Sequence, residues 1–476
     1  MVFSSPIFVF AFLPAFLLLY YAVPERFRTA TLLVASCVFY GWWQANYLVL
    51  VLGIAVVSYV AADYALKLPS DYGRRWAVRL GVLCNLLILG WFKYAYFLTD
   101  TFTSGFERIG INTNGTVTLP EIILPIGLSF LVFQSISYIL DVSRGDAPPA
   151  SRIVDFLAFS TLFPQLIAGP ILRYKDLAHQ FQTRSHSLEN FTKGCQRFVT
   201  GLAMKLLIAD SVAPLSDRMF GLAAPSLPEA WLGAVAYAIQ LFFDFAGYSA
   251  MAIGLGLMLG FRFIENFNAP YISRSVTEFW RRWHISLSAW LRDYLYVPLG
   301  GNRGPAWKTY RNLVLTMVLG GLWHGANWTF VIWGLWHGGI MALERALGAK
   351  HKETVWPKLL AWPLTMTFVL MGWVVFRAET LPQAMSMFEG MAGMNGVVLS
   401  GETRLLLRPT EVIFLVLGVM IALLPMWREM TASEAIARPA SQLWHHLAPL
   451  RTAILFCCSA AIMLARTESP FLYFQF

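Results

Sequence analysis

Two copies of Gly-Leu-Trp-His-Gly stand thirteen residues apart, at 321–325 and 334–338, inside an otherwise apolar run. They carry His324 and His337. Histidine suits a lipid-facing helix poorly, so an ionisable residue inside the membrane is a functional candidate by default. In a protein-lined cavity a single histidine, with its pKa near neutrality, can serve as a general base. It could take the proton from a hydroxyl that attacks an activated acyl group. On one straight helix thirteen residues turn through about 1,300° and rise about 20 Å. The two rings would then point in nearly opposite directions at different depths and could not line one small site. Gly325 and Asn327 weaken a helix, so a break is expected near His324. From Arg311 to Trp323 is about 18 Å of helix, which sets His324 inside the hydrocarbon core. His337 lies in regular helix beside Gly338 and Gly339 and is read as a packed histidine bonded to a neighbour.

His284, in "FWRRWHISLSAW", is a third candidate; on local sequence alone it is an interfacial histidine beside Arg281 and Arg282. His179, His186, His351, His445 and His446 fall in loops and are read as solvated surface. Asp244 lies mid-span in "YAIQLFFDFAGYSAMAIG". A carboxylate there is costly unless paired or protonated, so it orients a histidine or arginine or braces two helices. There is no phosphate-binding glycine loop and no G-x-S-x-G elbow. H-x-x-x-H is absent as well, and no metal site is expected. The residues alone leave two classes open, a transferase and a transporter that makes no bonds. Broken segments, a midplane histidine and Asp244 suit the transporter equally.

The elements that must hold these residues are membrane helices. The chain has 476 residues, 57% hydrophobic and 13% charged. A soluble protein carries about twice that charged share. The mean hydropathy is +0.57, and apolar runs near twenty residues recur, as in a polytopic membrane protein. The expected fold is all-α, a single membrane helical bundle. Its spans are near 7–23, 30–44, 47–66, 77–98, 120–140, 196–213, 230–260, 311–347, 359–376, 411–427 and 450–465. The net charge of +9 sits in a few basic loops and records membrane orientation rather than nucleic-acid binding. The five cysteines form no C-x-x-C pair and are read as small buried hydrophobes. The first basic residue, Arg26, follows the first apolar run, so that run reads as a retained helix with an outward-facing start.

Two regions are expected not to span. The apolar stretch 153–171 contains Pro164, Gly169 and Pro170 and lies among basic residues on both sides. A re-entrant element fits both facts, since irregular backbone at depth must be surrounded by protein or a watery cavity. The basic, aromatic stretch 261–311 reads as amphipathic helices at the cytoplasmic interface.

The run "ENFNAPYISRSVTEFWRRWHISLSAWLRDYLYVPLGGNRG", followed by "NLVLTMVLGGLWHGANWTFVIWGLWHG", resembles the membrane-bound O-acyltransferase superfamily, in its bacterial polysaccharide branch. The likeness extends through "LPIGLSFLVFQSISYILDVSRGD" and "FPQLIAGPILRYKDL". It implies a helical bundle around a through-membrane tunnel, with an essential histidine at His324 and a supporting one at His284. It implies an acetyl thioester donor, acetyl-CoA or another, entering from the cytoplasm. The acetyl acceptor is a periplasmic partner protein within an exopolysaccharide synthesis and secretion complex, in a bacterial inner membrane. On this reading Trp323, Trp280 and Trp283 wall the site against water, and Asn327 positions groups. Arg281 and Arg282 could hold donor phosphates. The pattern departs at Ala246 and Ala250, where the alginate type carries Ser and Asp, which leaves the polymer open between alginate, acetylated cellulose and another exopolysaccharide.

Overall fold

The computed structural model describes residues 1–111, 119–120, 122–166, 169–348, 355–431 and 447–466. Among them every regular element is helical. The chain divides into two compact units. One comprises Met1–Phe191 with Leu255–Phe263; the other comprises Thr192–Gly254 and the chain from Ile264 on.

The first unit carries α1 (Ile7–Ala22), α2 (Glu25–Gln44), α3 (Asn46–Lys67), α4 (Asp71–Arg108), α5 (Leu128–Arg144), α6 (Ile153–Ser160), α7 (Phe163–Leu166) and α8 (Tyr174–Gln182). Helices α3, α4 and α5 pack on one another. The Asn85 amide of α4 donates to the Ser58 hydroxyl of α3 at 3.0 Å. This is the interhelical polar contact that apolar surroundings favour. The stretch 153–171 does not form one spanning helix. It makes the short helices α6 and α7, and Pro164 stands at the second position of α7, where a missing N–H is harmless. Helix α5 starts only at Leu128, because Pro120 and Pro125 precede it and Gly127 enters it with φ of +76°. His186 is half-buried rather than solvated. Its ring nitrogens contact the Tyr20 hydroxyl at 3.1 Å and the Arg28 guanidinium at 3.3 Å. His179 is exposed as expected; His351, His445 and His446 lie outside the described residues.

The second unit holds α9 (Leu188–Gly221, from Thr192), α10 (Leu227–Met258, to Gly254), α11 (Val276–Arg282), α12 (Ile285–Leu291), α13 (Ala306–His324), α14 (Trp328–Ala346), α15 (Lys358–Arg377), α16 (Leu381–Met391), α17 (Gly401–Leu406), α18 (Pro409–Trp427) and α19 (Ala448–Ala465). Helix α10 is the internal one, with 89% of its apolar window buried, whereas α19 buries 11%. Exposed Met420 and Leu464 on α18 and α19 are what a lipid-facing surface needs.

Seven of the eleven expected spans form helices long and apolar enough to cross a membrane: α3, α4, α9, α10, α15, α18 and α19. Of the other four, α1 is shorter, α2 and the late-starting α5 do not reach that length and apolarity together, and 311–347 is not one helix. It breaks at Gly325–Asn327 into α13 and α14 of 19 residues each, and the second packs back along the first. The break expected near His324 is there, so the two histidines do not share one straight helix. The glycines of the repeated pentad explain the geometry. A Cβ on Gly334 would lie 2.6 Å from the Val318 backbone, and one on Gly338 would lie 2.8 Å from that of Val314. Glycines four apart let two backbones meet, as in small-residue helix seams in membranes.

Asp244 finds its partner across two helices. Lys205 Nζ of α9 lies 2.8 Å from Asp244 Oδ1 and 2.6 Å from Asp210 Oδ1. Both Lys205 and Asp244 are buried. The π-helical stretch Met204–Ala209 sets Lys205 toward both carboxylates.

Lys205→Ala is expected to destabilise the protein by about 3–5 kcal/mol, since it strands the buried Asp244 carboxylate; thermal unfolding of the purified, detergent-solubilised variant measures this. Gly334→Leu is expected to separate α13 from α14 and to cost about 1–3 kcal/mol or more through overpacking. A wild-type melting curve for that variant would contradict the close approach of the two backbones.

Candidate active site

His324 is the last residue of α13, and it is buried. Gly325 leaves the helix in extended backbone, with φ −162° and ψ 150°. Asn327 then starts α14. Its side-chain oxygen accepts the Thr329 N–H at 3.1 Å, and its amide donates to the Glu379 carbonyl at 3.0 Å. That is an N-cap, supplying an acceptor to an otherwise orphaned helix donor.

The His324 ring is set among aromatic faces. Its centroid lies 5.0 Å from Trp323, 5.3 Å from Trp333 and 5.2 Å from Phe376. His337 lies 5.1 Å from that same Trp333, and 5.4 Å from Trp280. The helix reversal thus brings both histidines to one tryptophan. His337 is fully buried, and neither ring nitrogen has a hydrogen-bond partner among the described residues. Its ring packs over Gly372 of α15. The expected bond to a neighbour is absent; the packing is present.

His284 joins the group through Trp323, at 6.3 Å between ring centroids, with the Phe245 centroid 4.7 Å from its own and the two rings near perpendicular. It sits between α11 and α12 in left-handed backbone, φ +46°, uncommon for a residue with a Cβ and characteristic of functional turns. Asn266 holds it there. The Asn266 carbonyl accepts the Ile285 N–H at 2.9 Å. Its side-chain oxygen accepts the Ser286 hydroxyl at 2.8 Å and faces His284 Nδ1 at 3.2 Å. His284 is fully buried, and Nε2 has no hydrogen-bond partner among the described residues. Burial pushes its pKa down to about 3, so the ring is neutral.

Of the residues singled out in the sequence, His324, Trp323 and His284 form one continuous group, and Trp280 joins it through Trp333 at 5.5 Å. Trp283 belongs to an adjoining layer, with Trp373 at 4.9 Å and Phe267 at 5.0 Å. Asp244 is held by Lys205, and Asn327 caps α14. Arg281 is exposed at the end of α11, while Arg282 pairs with Glu278 at 2.8 Å. Trp333 and Asn266 were not singled out. Trp333 abuts the second glycine pentad, and Asn266 opens the "NFNAPY" run, so both lay within reach of the sequence. Asn266 also lines a cavity of about 160 Å³, together with Phe242, Ser249 and the ion pair of Arg197 and Glu265 at 2.6 Å. Ala246 and Ala250, the two departures from the resemblance, are in its wall.

The neutral state of His284 has a pH consequence. Between pH 6.5 and about 3 the unfolded chain takes up a proton that the folded site refuses. Stability is therefore full above pH 6.5 and falls as the pH drops toward 3, by at most about 1.4 kcal/mol per unit. Melting at pH 7.5 and 5 is expected to show a larger loss in wild type than in His284→Gln; equal losses would contradict the assignment.

The model of the membrane-bound O-acyltransferase family matches residues 147–379, which contain all three histidines of the group. The chain is 47% identical, over the full length of both proteins, to "Probable alginate O-acetylase AlgI" of Azotobacter vinelandii. It is 51% identical to the protein of that name from Pseudomonas aeruginosa, over 88% of this chain and 80% of the relative. It is 37% identical to the "Peptidoglycan O-acetyltransferase" of Helicobacter pylori, over 84% and 81%. These likenesses decide between the two classes left open by the residues, in favour of bond-making chemistry over transport. The chain belongs to the membrane-bound O-acyltransferase family and is an O-acyltransferase of the membrane.

Proposed function

We propose that the protein takes acetyl from a cytoplasmic thioester, acetyl-CoA or another acetyl thioester, and passes it through a tunnel across the bacterial inner membrane. The acetyl group then O-acetylates an exopolysaccharide, alginate or a cellulose-like polymer, through a periplasmic acetyl-accepting partner. The N-terminus is periplasmic. The observation that carries this reading is the buried His324 at a helix end, with aromatic rings on three sides and His284 beyond Trp323.

In this reading His324 is the general base. It removes the proton of an acceptor hydroxyl, such as a serine of the partner, as the oxygen attacks the acetyl carbonyl. The carbon–oxygen bond forms, the carbon–sulfur bond breaks, and the thiolate leaves to the cytoplasm. The proton held by His324 can return to that thiolate or to solvent, which restores the base. Trp323, Trp333 and Trp280 keep water from the thioester, which water would otherwise hydrolyse.

His324→Ala is expected to lower exopolysaccharide O-acetylation by about 10²–10⁴-fold, the usual share of a general base. His337→Met, which fills the packing position with an adaptable side chain, is expected to keep it. The O-acetyl content of polymer from cells with matched membrane levels of each variant decides this. Acetylation retained in His324→Ala would sink the base assignment.

A further inference from the structure

We infer that Asn266 is a positioning residue that fixes His284 as one tautomer, with its proton on Nδ1 and its lone pair on Nε2. The inference rests on the reading of this group as an acyl-transfer centre and assigns His284 its direction in that chemistry.

A backbone N–H can only donate. The Ser286 N–H lies 3.2 Å from Asn266 Oδ1, and the Ser286 hydroxyl lies 2.8 Å from it. The amide oxygen, not the nitrogen, must therefore face this side. His284 Nδ1 lies 3.2 Å from the same oxygen. Two lone pairs at that distance repel, so Nδ1 carries the hydrogen. The Ser286 hydroxyl is farther from Nδ1, at 3.4 Å, and is already directed to the amide. In a neutral imidazole the other nitrogen is then proton-free, and the bond at one ring nitrogen sets the state of the other. Nε2 is buried and has no hydrogen-bond partner among the described residues. Asn266, Ser286, Phe245 and Trp323, which the ring meets, are uncharged side chains.

The consequence is a restriction on substrate. Nε2 of His284 accepts a hydrogen bond and cannot donate one to the thioester carbonyl. What meets it is an O–H or N–H, either the acceptor hydroxyl or an amide N–H of the donor's arm. Polarisation of the carbonyl falls to another group. The backbone supports the same assignment, because the left-handed conformation of His284 is held by the Asn266 carbonyl through the Ile285 N–H.

The test uses the full chain in liposomes, labelled with nitrogen-15 histidine, with the His284 signals assigned by their loss in His284→Gln. Wild type and Asn266→Asp are expected to show the Nδ1-protonated neutral ring, since a carboxylate oxygen accepts the same bonds. Asn266→Leu is expected to lose that single state. In cells, Asn266→Asp should keep acetylation within about 10-fold, and Asn266→Leu should lose about 10²-fold or more, as tautomer-setting groups do. The acidic limb of the Asn266→Asp rate profile should move to higher pH, because a carboxylate favours the protonated imidazole. With acetyl-CoA as probe donor, a raised KM in Asn266→Leu marks a donor N–H, and a lowered kcat alone marks the acceptor hydroxyl. A wild-type ring protonated on Nε2, or equal losses in both variants with an unmoved pH profile, would overturn the inference. His324→Ala separates the two readings: acetylation retained there removes the proposed function and leaves the tautomer result standing.

Discussion

The reversal of the chain between α13 and α14 is the constraint on which the rest of the site depends. A helix that ends inside a bilayer exposes backbone groups that lipid cannot satisfy, so the end must be enclosed by protein. Here Asn327 caps the returning helix, and Phe376 and Trp333 close around the last residue of the outgoing one. Glycines at 334 and 338 let the two backbones touch. The repeated pentad is therefore a packing device that happens to carry a histidine twice. The first histidine falls at the turn, where a polar ring can reach a reactant. The second falls within the seam, where it is wrapped by Trp280, Trp333 and Gly372.

Aromatic side chains suit such a place for a physical reason. They bury much area with few rotatable bonds, and their edges meet imidazole faces at near-right angles. The interplanar angles of His324 with Trp333 and of His284 with Phe245 are 85° and 88°. A rigid wall of this kind holds the His284 imidazole without charging it. A neutral ring is the form that can accept a proton, so packing and chemistry ask for the same environment.

The class of the fold and the break at Gly325–Asn327 were legible, because hydropathy and helix-weakening residues are local properties. The mutual placement of His324 and His337 was not. The angular argument assumed one axis, and the chain turns back on itself. Asp244 was legible as a residue in need of a partner, but Lys205 lies 39 positions earlier and reaches it only through a π-helical turn. Asn266 escaped notice for a similar reason. Its bond to His284 crosses 18 residues and depends on a left-handed backbone that no residue type announces. His186 looked like solvated loop because its partners, Tyr20 and Arg28, come from distant helices. What local pattern reports is the need for a contact; which residue answers it is decided by tertiary packing.

Lys205, Asp210 and Asp244 form a tight group, and Arg466 stands 4.0 Å from Asp210. Two positive and two negative charges sum to zero. A single charge moved across an energised membrane changes its energy by about 2.3 kcal/mol per 100 mV. A set of formal charges that sums to zero and moves together carries no such term. Displaced together along the membrane normal, these four charges add no net voltage term of their own at the junction of α9 and α10.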